Sequence, residues 1–184
     1  MATKKSASVM HAALLRGINI GKAKRIAMAD LRDLCTTLGY DNVKTLLNSG
    51  NVIFSAPRAD AKAAAKIEKA IAASHGFTSR VVVVTADRLD AIIEENPIEE
   101  SESNPSRFLV TVLYDHADRA RLGALAKQDW KSERLALGKH AVYSWCPDGI
   151  LESQSLLALN KVLGDAGTSR NWATMKKLQA MMST

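Results

Sequence analysis

This sequence predicts an α+β fold made of two successive ferredoxin-like (β-α-β-β-α-β) repeats. Each is an antiparallel sheet with helices packed on one face, and the second repeat is degenerate. Three observations carry the prediction. Between Val9 and Val84, short apolar runs and amphipathic stretches follow one another in the order β-α-β-β-α-β. From Phe108 onward the order β-α-β-β-α recurs. An acidic, polar linker from Ile98 to Ser106 separates the two.

Residues 1–8 read as a flexible tail. Strand one spans Val9 to Leu15, and the loop Arg16 to Arg25 leads into a helix over Met28 to Leu38. Leu31, Leu34, Cys35 and Leu38 recur there at helical spacing, and Gly39 ends the helix. Val43 to Leu47 and Val52 to Phe54 flank the small polar cluster Asn48-Ser49-Gly50-Asn51, the pattern of a hairpin. Pro57 stops the second of these strands. Asp60 caps a helix from about Ala61 to Ser74, with Ala63, Ile67, Ala70 and Ile71 inward. Arg80 to Val84 is a β-branched run typical of a buried strand. Thr85 caps a connecting helix, Asp87 to Glu95, which Asn96-Pro97 terminates.

In the second half, Phe108 to Leu113 is a strand, and Asp115 or His116 opens a helix to about Lys127. Arg134 to Leu137 and Ala141 to Trp145 flank Gly138-Lys139 in a second hairpin. Ser153 opens a helix to Leu163. Thr168 or Ser169 then caps a last helix, Asn171 to Met182, standing where a fourth strand is due. The organisation is therefore a first repeat with its connecting helix over 9–96 and a degenerate second repeat with a C-terminal helix over 107–184.

The apolar fraction, 47% of 184 residues, is ample for a sizeable core. Lys and Arg number 25 against 19 Asp and Glu, a net charge of +6, and the distribution is uneven. Lys4, Lys5, Arg16, Lys22, Lys24 and Arg25 all precede the first acid, Asp30. A basic N-terminal third attracts phosphate or nucleic acid. The two cysteines, Cys35 and Cys146, form no zinc-binding pattern and no disulfide framework, which fits a reducing, cytoplasmic setting. The Lys4-Lys5 pair before an apolar run is a poor signal peptide, because Ser8 and His11 break the run. No stretch is long enough to span a membrane. The four histidines lack metal spacing, no cofactor motif is present, and no triad or carboxylate pair emerges. Aromatic residues make up 5% of the chain, and the aromatic-rich signature of an RNA-binding sheet is missing.

Three motifs stand out: Leu14-Leu15-Arg16-Gly17-Ile18-Asn19-Ile20-Gly21, Asn48-Ser49-Gly50-Asn51-Val52-Ile53-Phe54, and Thr168-Ser169-Arg170-Asn171-Trp172. Together, and in this order, they resemble a bacterial family catalogued as domain of unknown function 1697, over about Val9 to Leu178. The resemblance implies an α+β fold of two ferredoxin-like repeats and no established activity. The last motif departs from the family pattern Arg-Asn-Trp-Asn-Thr: Ala173 replaces the second Asn, and Thr174 is kept.

The motifs also hold the candidate site. Gly17-x-x-x-Gly21-Lys22 is one residue short of a phosphate-binding P-loop, and Ala23 stands where the metal-binding hydroxyl belongs. Its backbone amides, with Arg16 and Lys22, suit a bare anion, whereas as a plain turn its glycines supply positive φ and Asn19 bonds its own backbone. Ser49, Gly50 and Asn51 make a tight turn, from which Asn48, Ser49 and Asn51 can project polar groups toward a ligand, but no histidine or acid nearby in sequence activates Ser49. Arg170 and Asn171, at a helix start, add a guanidinium and a positive dipole end; the structural alternative is that Thr168 or Ser169 caps the helix, Trp172 is core and Arg170 binds an internal carboxylate. The leading expectation is a protein that binds a phosphate-bearing ligand, a nucleotide or a nucleic-acid backbone, through Arg16, Asn19, Lys22 and Arg170. One alternative is a small-molecule enzyme, for which no catalytic residue is identifiable. Another is an interaction or homo-oligomeric module with an apolar patch around Trp130 or Met181-Met182.

Overall fold

The computed structural model describes residues 8–57 and 59–183. The tail expected over 1–8, apart from Ser8, lies outside the described residues. The chain divides into two compact units, Met1–Ala86 with Ala180–Thr184, and Asp87–Gln179.

In the first unit the elements are β1 (Val9–Leu15), α1 (Met28–Thr37), β2 (Asp41–Leu46), β3 (Asn51–Ala56), α2 (Ala63–His75) and β4 (Val81–Thr85). The strands lie in the order β2-β3-β1-β4, and each adjacent pair is antiparallel. This is the split β-α-β arrangement, with β1 central and β4 added beside it after the second helix. Side chains alternate across the strands. Ala13, Leu15, Val52, Phe54, Ala56 and Val81 fall on one face, where they pack with Leu31 and Cys35 of α1 and with Ile67 and Ile71 of α2. The opposite face of β1 and β3 carries Met10, Ala12, Leu14 and Ile53, none of them an aromatic on which a base could stack.

One polar residue sits inside this core. His11 is 1% exposed and lies flat on Phe54, ring centroids 5.1 Å apart. Its Nδ1 donates to the carbonyl of Val9 at 2.9 Å, and its Nε2 accepts from the backbone N–H of Asp60 at 3.3 Å. Those two partners fix the ring as the neutral tautomer protonated at Nδ1. Asp60 lies three residues before α2 and takes the N–H of Lys62 at 3.0 Å, so it ties down the approach to the helix instead of occupying its N-cap. Its other carboxylate oxygen accepts from Tyr40 Oη at 2.9 Å and Lys66 Nζ at 2.6 Å.

The second unit runs through α3 (Ala86–Glu94), β5 (Phe108–Leu113), α4 (Gly123–Lys127), β6 (Arg134–Leu137), β7 (Ala141–Trp145), α5 (Gln154–Leu163), β8 (Gly167–Asn171) and α6 (Trp172–Met182). Its sheet has the order β6-β7-β5-β8, the same arrangement as the first. The chain is thus an α+β protein of two four-stranded antiparallel sheets.

Two expectations for this half need correction. The fourth strand is present: Gly167–Asn171 pairs antiparallel with β5, with Thr168 opposite Val112 and Arg170 opposite Val110. The hydroxyls of Thr168 and Ser169 do not cap a helix. They bond Tyr114 Oη at 2.6 Å and Thr111 Oγ1 at 2.7 Å. The cap is Asn171, whose Oδ1 takes the N–H of Thr174 at 2.9 Å, so α6 begins at Trp172. The departure from the first repeat lies instead between β5 and β6. There a helix from Asp115 to Lys127 is replaced by a 3-10 helix, His116–Leu122, and the short α4. Asp115 does cap the 3-10 helix, through the N–H of Ala117 at 2.8 Å, but of that helix's seven residues only Leu122 is buried. Without an apolar stripe a longer helix has nothing to pack with. Ser153 caps α5 as expected, and the Glu133 carboxylate joins it, accepting from the N–H groups of Gln154 and Ser155, each at 2.9 Å. Of the tail residues considered for an apolar patch, Met182 is buried.

The buried His11 makes stability depend on pH. Burial holds its pKa below the ordinary 6.5. An unfolded histidine takes up a proton near pH 6.5, whereas the folded one resists it. Stability is therefore at its plateau above about pH 7 and falls as pH drops through about 6.5. Urea unfolding of the wild type between pH 7.5 and 5.5 should show this decline, and His11→Gln should flatten it. An equal slope in the variant would remove His11 as its source.

Candidate functional site

The loop after β1 is held by backbone bonds on both flanks. Leu15 N donates to Gly50 O at 2.9 Å and Arg16 N to Arg80 O at 2.8 Å, while Ser79 Oγ donates to Arg16 O at 2.9 Å. Beyond Arg16 the chain reverses through left-handed residues, Gly17 at φ 65°, Asn19 at φ 55° and Gly21 at φ 66°. Asn19 is among the non-glycine residues that tolerate this region best, because its short amide can bond locally.

That amide organises the loop. Nδ2 donates to Ile26 O and to Asn48 O, each at 2.9 Å, and Oδ1 accepts from Ile26 N at 3.0 Å. One side chain thus closes the Gly17–Arg25 loop and fastens it to the β2–β3 turn. Ile18 packs beneath that turn. A Cβ on Gly50 would stand 2.6 Å from Ile18 Cδ1, so this glycine is required by close approach as well as by its φ of 79°. Asn51 is fully buried and bonds Leu46 O at 2.8 Å and Ser49 Oγ at 3.0 Å. The first two sequence motifs therefore meet.

Beside their junction lies a cavity of about 380 Å³ lined by Asn19, Arg25, Ile26, Ala27, Met28 and Asn48. It opens at the start of α1. The residue in the N-cap position is Ala27, which is extended and has no side chain to cap the first turn. Exposed Arg25 stands two residues before it, and Asp30 is the acid of the first turn. The polar groups lining the cavity are a guanidinium, side-chain amides and backbone amides at the positive end of a helix, which suit a phosphate or carboxylate. No imidazole, thiol, carboxylate or phenol lines it.

Of the residues expected to face a ligand, Asn19 and Asn48 line this cavity. Arg16 is half-buried and Lys22 exposed on the same loop, Gly17 and Gly21 supply its reversals, and Ser49, Gly50 and Asn51 build the adjoining turn. Arg170 and Asn171 belong to the second unit. There Arg170 is 9% exposed, bonds Ser169 O through Nη1 at 2.9 Å, and has its pKa drawn down to about 10 by burial. Asn171 serves as the α6 cap. Arg25 and Asn48 complete the polar lining; Asn48 is among the turn residues expected to face a ligand, and Arg25 is absent from the expected set. The signal for Arg25 was a basic residue two positions before an alanine N-cap.

A second group of titratable side chains is found within the second unit. Arg88 Nη1 donates to His116 Nε2 at 3.0 Å, and the His116 and His140 rings meet edge-on at 5.7 Å. Glu95 accepts from the backbone N–H groups of Lys139 and His140 and from Tyr143 Oη. Burial lowers the pKa of His140. The cysteines are buried, with burial raising both thiols, that of Cys35 to about 12, so neither is a ready nucleophile. Among the described residues no three or more His, Cys, Asp or Glu side chains are grouped to hold a metal ion, and no helix is long and apolar enough to cross a membrane.

The family described as "Protein of unknown function (DUF1697)" matches residues 9–143 of the chain. The conserved bacterial protein SP0830 from Streptococcus pneumoniae has a similar solved structure, at 26% sequence identity and a TM-score of 0.77, over 96% of this chain and 99% of that one. No curated protein matches.

Removing the Asn19 amide should be costly. Asn19→Ala deletes three hydrogen bonds and leaves a left-handed alanine, for a loss of about 2–4 kcal/mol. Asn19→Gly relieves the backbone term and should lose about 1 kcal/mol less. Equilibrium urea unfolding measures both, and a loss below about 0.5 kcal/mol in the alanine variant would show that the fastening is dispensable.

Proposed function

The chain belongs to the DUF1697 family of proteins of unknown function, and from the geometry of its first unit we propose that it binds a phosphate-bearing ligand at the start of α1. The observation that carries this reading is the cavity itself. An uncapped helix start, Arg25 and Asn48 converge on a space of about 380 Å³, within the range of small-molecule sites. Lys22 and Lys24 on the adjoining loop add positive charge that raises the local concentration of anions.

Several features narrow the ligand. The cavity is the size of a mononucleotide or sugar phosphate and not a channel for a polymer. The exposed basic loop leaves room for the rest of a nucleotide to extend outward. The lining supplies orientation without a general acid or base, which favours binding over turnover at this place. Asn19 acts through the geometry it imposes, because its amide is engaged by Ile26 and Asn48. Arg25 and the first-turn amides make the contacts. Asp30 opposes an anion through its charge in the same turn.

Two substitutions test this with opposite signs. Arg25→Ala should weaken binding of pyrophosphate or a mononucleotide by about tenfold or more, the effect of losing a charge-assisted bond. Asp30→Asn should tighten it by about two- to fivefold. Isothermal titration at low and moderate salt reads both. Affinity unchanged by either substitution would sink the proposal.

A further inference from the structure

The second unit carries a groove of its own, of about 590 Å³, between one face of α5 and the loop that precedes β6. On the helix side stand Gln154, Leu157, Ala158 and Lys161, spaced as neighbours along a single helical face. The core face of α5 is a different one, made by Leu156, Leu159 and Leu163. Leu157 is therefore an apolar residue outside the core, 55% exposed and edged by Gln154 and Lys161. On the loop side stands Trp130. It packs partly against the core cluster of Leu122, Leu135, Val142 and Leu156, and still lines the groove.

The indole is fixed and not merely resting there. Its Nε1 donates to Leu125 O at 2.9 Å, which pins the ring to the end of α4. The neighbouring backbone is equally set: Lys131 is left-handed at φ 60°, and its N–H is held by Asp129 Oδ1 at 2.9 Å. The acids of the groove are unequal. Glu133 is turned into the start of α5, where Ser153 Oγ and the N–H groups of Gln154 and Ser155 take its carboxylate. Its charge is matched by the helix end. Lys131 and Lys161 remain exposed on the rim.

We propose that this groove is a nucleotide site, in which a base stacks on Trp130 against Leu157 and its phosphate is met by Lys131 and Lys161. A rigid indole and an exposed leucine on facing walls suit a flat ring, and stacking of a base on an aromatic side chain is strong and tolerant of base identity. The amides of Gln128 and Gln154 offer both donors and acceptors for the edge of a base. Asp129 is placed to accept from a ribose hydroxyl. An aromatic peptide side chain would use the walls but leave the two lysines without a purpose. A free nucleotide and a nucleotide within a single strand present the same chemistry. The site is independent of the α1 cavity, and neither depends on the other being correct.

The test is a titration of the full chain with AMP and, separately, with a short oligothymidylate, followed by tryptophan fluorescence and by calorimetry at low salt. Saturable quenching is expected, lost in Trp130→Phe and unaffected by Arg25→Ala. Leu157→Glu changes an exposed residue, so the fold is retained and affinity should fall about tenfold or more. Lys161→Ala should weaken binding and lower its salt dependence. Tighter binding of the oligonucleotide than of AMP identifies a single strand as the source, and the reverse identifies the free nucleotide. No calorimetric binding of either probe to folded protein, or equal calorimetric affinity in the wild type, Trp130→Phe and Leu157→Glu, overturns the proposal.

Discussion

The side-chain amide of Asn19 is the fastening on which the first unit's functional surface depends. A strand that ends at Leu15 must hand the chain to α1 across twelve residues, and it does so with the backbone reversed at Gly17, Asn19 and Gly21. Such a loop has little apolar burial beyond Ile18 and Ile26 to hold it, and its conformational entropy opposes a single shape. Three hydrogen bonds from one residue, two of them to Ile26, reduce that freedom at one point and tie the loop to the hairpin turn. The position of Arg25, the approach to Ala27 and the opening of the cavity follow from that closure. A threonine or serine in place of Ala27 would cap the helix with its hydroxyl.

The family motifs are intelligible in the same terms. In each, a polar side chain satisfies backbone where the chain turns or a helix begins. Asn19 closes a loop, Asn51 closes a hairpin turn by bonding Leu46 O, and Asn171 caps α6. Gly50 is there because Ile18 leaves no space for a side chain. These motifs are therefore largely a signature of the fold. Of the side chains that line the two open spaces, Asn48 opens the second motif, whereas Arg25 in the same unit and Trp130 and Lys161 in the other lie beside or outside the motifs.

This explains what could be read from the sequence. The element order of the first unit, both hairpins and the Ser153 cap were legible, because each rests on a local pattern: apolar periodicity, turn residues or a capping hydroxyl. β8 was not. Gly-Thr-Ser-Arg-Asn has no alternation of apolar residues, and small polar residues before a helix look like a cap. Its strand conformation comes from the free edge of β5 and from hydroxyl pairs with Thr111 and Tyr114, partners more than fifty residues away in sequence. The missing long helix after β5 was a failure of the opposite kind. Asp115 is a sound cap, but Ala117 to Arg121 supply no buried face, and a start signal without a stripe makes only a 3-10 helix. At the site, Asn19 was legible as a turn residue. Its bond to Asn48 O, across 29 positions, was not.

The two histidine environments show how the fold decides what a titratable group can do. His11 has both ring nitrogens committed to backbone partners and a phenylalanine on its face, so it is a neutral structural element whose protonation opposes folding. His116 is exposed, and its Nε2 accepts from the Arg88 guanidinium at 3.0 Å. Neither arrangement resembles a general base aimed at a substrate, since the atom that would take the proton is already bonded from within the protein. The same logic applies to Glu133, whose carboxylate serves a helix end, and to Asn51, whose amide serves a turn. Polar chemistry in this chain is mostly directed inward. Arg25 beside an uncapped helix and the exposed lysines beside a pinned indole line open spaces instead.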